Sequence, residues 1–175
     1  VFAVADNFFA QFGLPVDYEI DADRLNGRFR DLQAQAHPDR FAAAGEAQRL
    51  RAVQLSSYLN EAYETLKSPL RRAGYLLSLR GVDVERVAQS DLSPELLLQQ
   101  MSLREQLAEL PSDDSAFESI DKLNRAAGAG SEDCRRQFAA ALAADSLDAA
   151  RRAFHALQFW HKFQAEIAKA EDALL

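Results

Sequence analysis

An all-α protein in two units is expected from three features of these 175 residues. Apolar residues recur at spacings of three and four along most of the chain, and no convincing alternating, strand-like stretch interrupts them. The period lapses once, over residues 82–93, between two helical runs. The make-up agrees, since 48% hydrophobic and 27% charged residues suit a globular chain with a core, and seven Gly and five Pro are too few for a loop-rich one.

A short first helix is expected over about Asp6–Gln11, with Phe8, Phe9 and Phe12 as its apolar residues, broken by Gly13-Leu14-Pro15. Tyr18 and Ile20 then lie in an extended link. Asp21 is a good N-cap for a helix whose apolar positions are Leu25, Phe29, Leu32 and Ala36. Pro38 disfavours helical geometry at His37 and stops it. The next helix, Glu46–Lys67, puts Leu55, Leu59, Ala62, Tyr63 and Leu66 on one face and ends at Ser68-Pro69. A fourth, Leu70–Leu79, is closed by Gly81 as C-cap. Residues 1–81 form the first unit and 82–93 the linker.

Ser93-Pro94-Glu95 restarts a helix with an N-cap Ser, Pro at the first helical position and an early carboxylate. It runs to Leu110, before Pro111-Ser112-Asp113-Asp114. Gly128 and Gly130 follow, each costing ~1 kcal/mol against Ala inside a helix. Phe117, Ile120, Asn124, Ala127, Ser131, Cys134, Phe138 and Ala141 nevertheless keep the helical phase through both, so one long helix is expected. Asp145-Ser146 caps a last helix carrying Phe154, Leu157, Trp160, Phe163 and Ile167. Residues 94–175 therefore read as a three-helix bundle with short antiparallel connections.

Composition also narrows function. The single Cys134 excludes a disulfide framework and packs as a small inert hydrophobe, and three His leave little material for a zinc site. His155 and His161 read as packing or surface residues of the last helix. No apolar run reaches the roughly 18 residues that span a bilayer, and no signal peptide is evident. Net charge is −7, split as 11 Lys and Arg against 12 Asp and Glu in residues 1–90, and 9 against 15 in residues 91–175. An acidic second half argues against general nucleic-acid binding and suits a basic protein partner. No Gly-rich phosphate loop, nucleophile elbow or metal cluster points to an enzyme. No cofactor or metal is implied.

His37-Pro38-Asp39 lies at the turn between two amphipathic helices, after Arg24, Arg28 and Arg30 and before Arg40-Phe41. Pro38 has a fixed φ and no N–H, so it stiffens the turn. His37 and Asp39 are thereby presented outward as a compact donor and acceptor pair, while Arg28, Arg30 and Arg40 offer steering charge toward an acidic surface. Ligation of a metal by His37 and Asp39 would be incomplete. In this helical frame the pattern over Leu25–Leu79 resembles a J-domain, the module that stimulates ATP hydrolysis by DnaK-class chaperones.

Several further blocks match in order: Phe12-Gly13-Leu14-Pro15, Arg28-Phe29 with Leu32-Gln33, Asn60 with Ala62-Tyr63 and Thr65-Leu66, Pro69-Leu70 with Arg72-Ala73, and Tyr75-Leu76-Leu77. Together they resemble HscB, the J-type co-chaperone family of iron–sulfur cluster assembly. The resemblance implies an L-shaped, non-enzymatic protein. It implies binding of the chaperone HscA through the J-domain and of the scaffold protein IscU through the C-terminal bundle. The absence of an N-terminal Cys pair or transit segment suggests a bacterial, cytoplasmic member.

The helix from Ser93 supplies a check from its own periodicity. At about 100° per residue, Leu96, Leu103, Leu107 and Leu110 occupy one sector of about 60° that can face the bundle. Leu97, Leu98 and Met101 fall roughly 150° away, sharing that side with Glu105 and Glu109. An apolar patch rimmed by carboxylates is a plausible docking surface, and the resemblance places scaffold binding on these residues, extended by Phe159. Ser102 departs from the family, which tends to carry an acidic residue there. Two other readings stay open at this stage: a general J-protein recruiting unfolded clients, and a structural helical scaffold in which the tripeptide is incidental.

Overall fold

The structure is a computed structural model that describes residues 3–41, 45–85, 93–111, 113 and 115–174. Among the described residues there are seven α-helices, one 3-10 turn and no strand. By compactness the chain divides into Val1–Leu76 and Leu77–Leu175, so the division falls inside the fourth helix. Residues 86–92 of the expected linker lie outside the described set.

In the first unit, α1 (Phe8–Gln11) is capped by Asn7, whose side chain accepts from the Ala10 N–H. It is shorter than expected because Asn7, rather than Asp6, makes the capping bond. Gly13 ends it at φ +65°, while the Leu14 N–H reaches back to the Phe9 carbonyl at 2.9 Å. α2 (Ala22–Ala36) starts where the Asp21 side chain accepts from the Arg24 N–H at 2.9 Å. It stops as His37 adopts the extended geometry that a following proline demands. The 3-10 turn covers Pro38–Phe41. α3 (Glu46–Lys67) and α4 (Pro69–Leu79) are separated by Ser68, extended before Pro69 for the same reason.

α2 and α3 pack side by side over Leu25, Leu32, Ala36, Leu55 and Leu59, all buried. α4 closes through Gly81 at φ +76°, with the Val82 N–H donating to the Leu77 carbonyl at 3.0 Å.

In the second unit, α5 (Pro94–Ala108) begins at Ser93, whose Oγ accepts from the Leu96 N–H at 3.1 Å. α6 (Ser115–Ala143) is a single 29-residue helix, as the preserved phase required. α7 (Leu147–Asp172) packs along it, with Phe154, Leu157, Trp160, Phe163 and Ile167 buried. Three expectations need correction. Phe117 is largely exposed, and Asn124 is exposed too; Ala116 and Leu123, one position earlier, face the core instead. The Ser146 side chain makes no capping hydrogen bond. Asp145 sits at φ +53°, and its carboxylate is taken by Arg80 at 2.6 Å rather than by the helix.

Candidate functional site

The His-Pro-Asp corner is built from the end of α2. The His37 carbonyl accepts from the Arg40 N–H at 3.1 Å, which winds the 3-10 turn. His37 Nδ1 lies 3.3 Å from the Asp39 N–H and 3.6 Å from Asp39 Oδ2. In the neutral ring Nδ1 accepts the amide proton, which puts the ring's own N–H on Nε2. The two side chains are 58% and 91% exposed, so the pair is held locally yet offered to solvent.

The frame behind the corner is polar as well as apolar. The Ser56 hydroxyl donates to Gln33 Oε1 at 3.0 Å, and Gln33 Nε2 donates to the Asn60 side chain. Tyr63 donates its hydroxyl to Asn26 Oδ1 at 2.9 Å, and its ring stacks on Phe29 at 4.0 Å between centroids. These bonds cross from α2 to α3 and fix the register of the two helices that carry the turn. The sequence did hold a signal for this brace. Asn26 and Gln33 are seven apart, and Ser56, Asn60 and Tyr63 are spaced four and three, so each set falls on one flank of its helix.

Arg28, Arg30 and Arg40 are all exposed but do not form one patch. Arg28 and Arg30 lie about 160° apart around α2, on opposite flanks of its buried stripe. Arg40 donates to the Ala34 carbonyl at 3.2 Å, which draws it toward the Arg30 flank. The positive charge therefore straddles the helix.

On α5, Leu103 is buried and Leu96 and Leu107 are half-buried, as is Leu110 just beyond its end. Leu97, Leu98 and Met101 are exposed, the last two by 67% and 70%, and Glu105 and Glu109 are exposed beside them. Ser102 accepts from Gln106 within the helix at 3.2 Å. Phe159 does not join this surface. It is only 7% exposed, stacked on Phe163 and tilted against Trp160, with the Arg104 guanidinium 5.4 Å above its ring. Its ring lies among the core aromatics of α7 and under the Arg104 side chain.

Among the described residues no three His, Cys, Asp or Glu side chains gather where a metal could bind, and no helix is long and apolar enough to cross a membrane.

Comparison with known proteins agrees with both halves of the chain. Residues 92–168 match a family model described as the HSCB C-terminal oligomerisation domain. A co-chaperone protein HscB homolog from Cupriavidus taiwanensis is 43% identical over 169 residues, covering 97% of this chain and 96% of that protein. The solved structure of the chaperone HscB from Vibrio cholerae superposes with a TM-score of 0.87 at 38% identity, covering 97% of this chain and 99% of its own. The crystal structure of human co-chaperone protein HscB shares the fold at a TM-score of 0.89 and 21% identity, covering 98% of this chain and 85% of its own.

Proposed function

Since the chain belongs to the HscB co-chaperone family, we propose that it binds an IscU-type iron–sulfur scaffold and delivers it to the DnaK-class chaperone HscA. In this reading it stimulates the chaperone's ATPase during cluster assembly and performs no chemistry of its own. The observation that carries the reading is the exposed His37–Asp39 pair, locked at the tip of a helix pair by the Gln33–Ser56–Asn60 bonds and the Phe29–Tyr63 stack.

A rigid donor and acceptor at a fixed corner loses little conformational freedom on docking. Arg28 and Arg30 on opposite flanks of α2 favour an acidic groove that receives the helix from both sides, and such charges raise the encounter rate more than the final affinity. The acid-rimmed Leu97–Leu98–Met101 surface suits a partner with apolar side chains and nearby basic groups. Carrying both contacts on one chain turns the second into an event at high effective concentration, so each alone can be weak. The same reading places the protein in the bacterial cytoplasm with its chaperone and scaffold.

The test is the ATPase rate of an HscA-type chaperone, with and without the scaffold, in the presence of the unaltered chain or His37→Gln. Stimulation by the unaltered chain and its loss in the variant are expected. Equal stimulation by both would refute the role of the corner. Calorimetry with Leu97→Ala/Met101→Ala tests the second surface, where scaffold affinity should fall while helicity stays unchanged.

A further inference from the structure

The edge of the α5 surface holds a covered aromatic ring. Leu97, Met101 and Arg104 follow one another at four and three residues, so the arginine continues the exposed apolar stripe on the side that meets α7. Its Nε lies 3.2 Å and its Nη2 3.4 Å from the two carboxylate oxygens of Glu166, a forked pairing that fixes the guanidinium over the Phe159 ring. Below, Phe159 is held by Phe163, with centroids 5.6 Å apart and planes 15° from parallel, and by Trp160 at 4.8 Å. The ring is thus rigid from beneath and roofed by a charged side chain that is itself 43% exposed.

We propose that Arg104 is a lid, clamped by Glu166, whose displacement uncovers Phe159 and extends the Leu97–Met101 stripe into a larger docking surface for an apolar side chain of the scaffold. The inference rests on the scaffold-docking reading above and deepens it. Both members of the ion pair are partly solvated, so water replaces much of what each loses when they separate. The uncovered ring needs no rearrangement, because its supports lie on its own helix. A guanidinium over an aromatic face is also the arrangement most easily exchanged for another flat or apolar contact, since it has no directional bond to the ring. The resting protein therefore keeps this ring covered until a complementary partner arrives.

Two measurements on the full chain decide the matter. The first needs no partner: binding of the dye ANS to the unaltered protein, Arg104→Ala, Glu166→Gln, and Arg104→Ala combined with Phe159→Leu. Dye emission should rise in both single variants, more in Arg104→Ala, and the rise should vanish in the combined variant. Unchanged emission in Arg104→Ala overturns the lid. Phe159→Leu is used because it retains an apolar core residue, and circular dichroism checks that helicity is kept.

The second is calorimetry with an IscU-type scaffold. Arg104→Ala should bind about three- to fivefold more tightly, the scale of releasing a half-exposed ion pair, and the gain should disappear with Phe159→Leu. Unchanged or weaker binding by Arg104→Ala overturns the proposal even if the dye result is positive. If the unaltered chain fails to bind the scaffold at all, the docking reading falls, and the scaffold-directed part of the proposal with it; the dye result then reports separately whether Arg104 covers the ring.

Discussion

Gly130 and Trp160 are pressed together so closely that a Cβ built on the glycine would stand 2.3 Å from the indole ring. The glycine interrupts no helix; it leaves a notch in α6 into which the ring from α7 fits. Gly128, two residues earlier, has open space around its own would-be Cβ. The two glycines look alike in the sequence and should behave oppositely. Gly130→Ala should destabilise the protein by about 1–3 kcal/mol through overpacking against a buried ring. Gly128→Ala should stabilise it by about 0.5–1 kcal/mol, because only the helix propensity changes. Denaturant midpoints of the two variants check both signs.

The Cys134 thiol lies in the same region and is buried. Burial pushes its pKa up, a hydrogen bond involving Trp160 pulls it partly back, and the Asp133 carboxylate raises it again. The thiol is therefore neutral at pH 7 in the folded protein. Iodoacetamide should modify it far more slowly in buffer than in denaturant, with the single cysteine making the mass readout unambiguous. Because the folded value is raised, the contribution is fully present below the unfolded thiol's value of about 8.5 and is lost as pH rises through the folded value. Stability measured across the alkaline range should fall more steeply than in Cys134→Ala.

At the opposite end of the chain, function and stability should separate. His37 and Asp39 are exposed and bond mainly to each other. Replacing either with Ala should change stability by no more than about 0.5 kcal/mol, while chaperone stimulation is lost. Thermal unfolding run beside the ATPase assay measures both.

The brace should show the reverse. Phe29 stacks at 4.0 Å on Tyr63 and is half-buried, so Phe29→Ala should cost about 2–4 kcal/mol. Asn60→Ala, which removes one exposed polar contact to Gln33, should cost about 0.5–1.5 kcal/mol. Denaturant unfolding gives both values, and hydrogen exchange of α2 amides should accelerate more in the first variant.

The helices themselves were legible because each is bounded by local chemistry. Asp21 and Ser93 supply caps, Pro38 and Pro69 forbid continuation, and Gly13 and Gly81 take up positive φ, all effects that act within a few residues. The exposed corner and the second apolar side of α5 were legible for the same reason, since one follows from a fixed proline and the other from the helical period. Phe117 misled because its phase is right only if α6 faces its neighbour at one constant angle; the buried line actually passes through Ala116 and Leu123. Phe159 was legible as an aromatic on a helix, but whether such a ring reaches solvent depends on the side chain lying across it. Arg104 reaches it from 55 positions away in sequence, steadied by Glu166. The notch at Gly130 is hidden in the same way, because it is defined by a ring on another helix. Caps, stops and periods are short-range properties of a chain, whereas covering and close approach exist only once distant helices have packed.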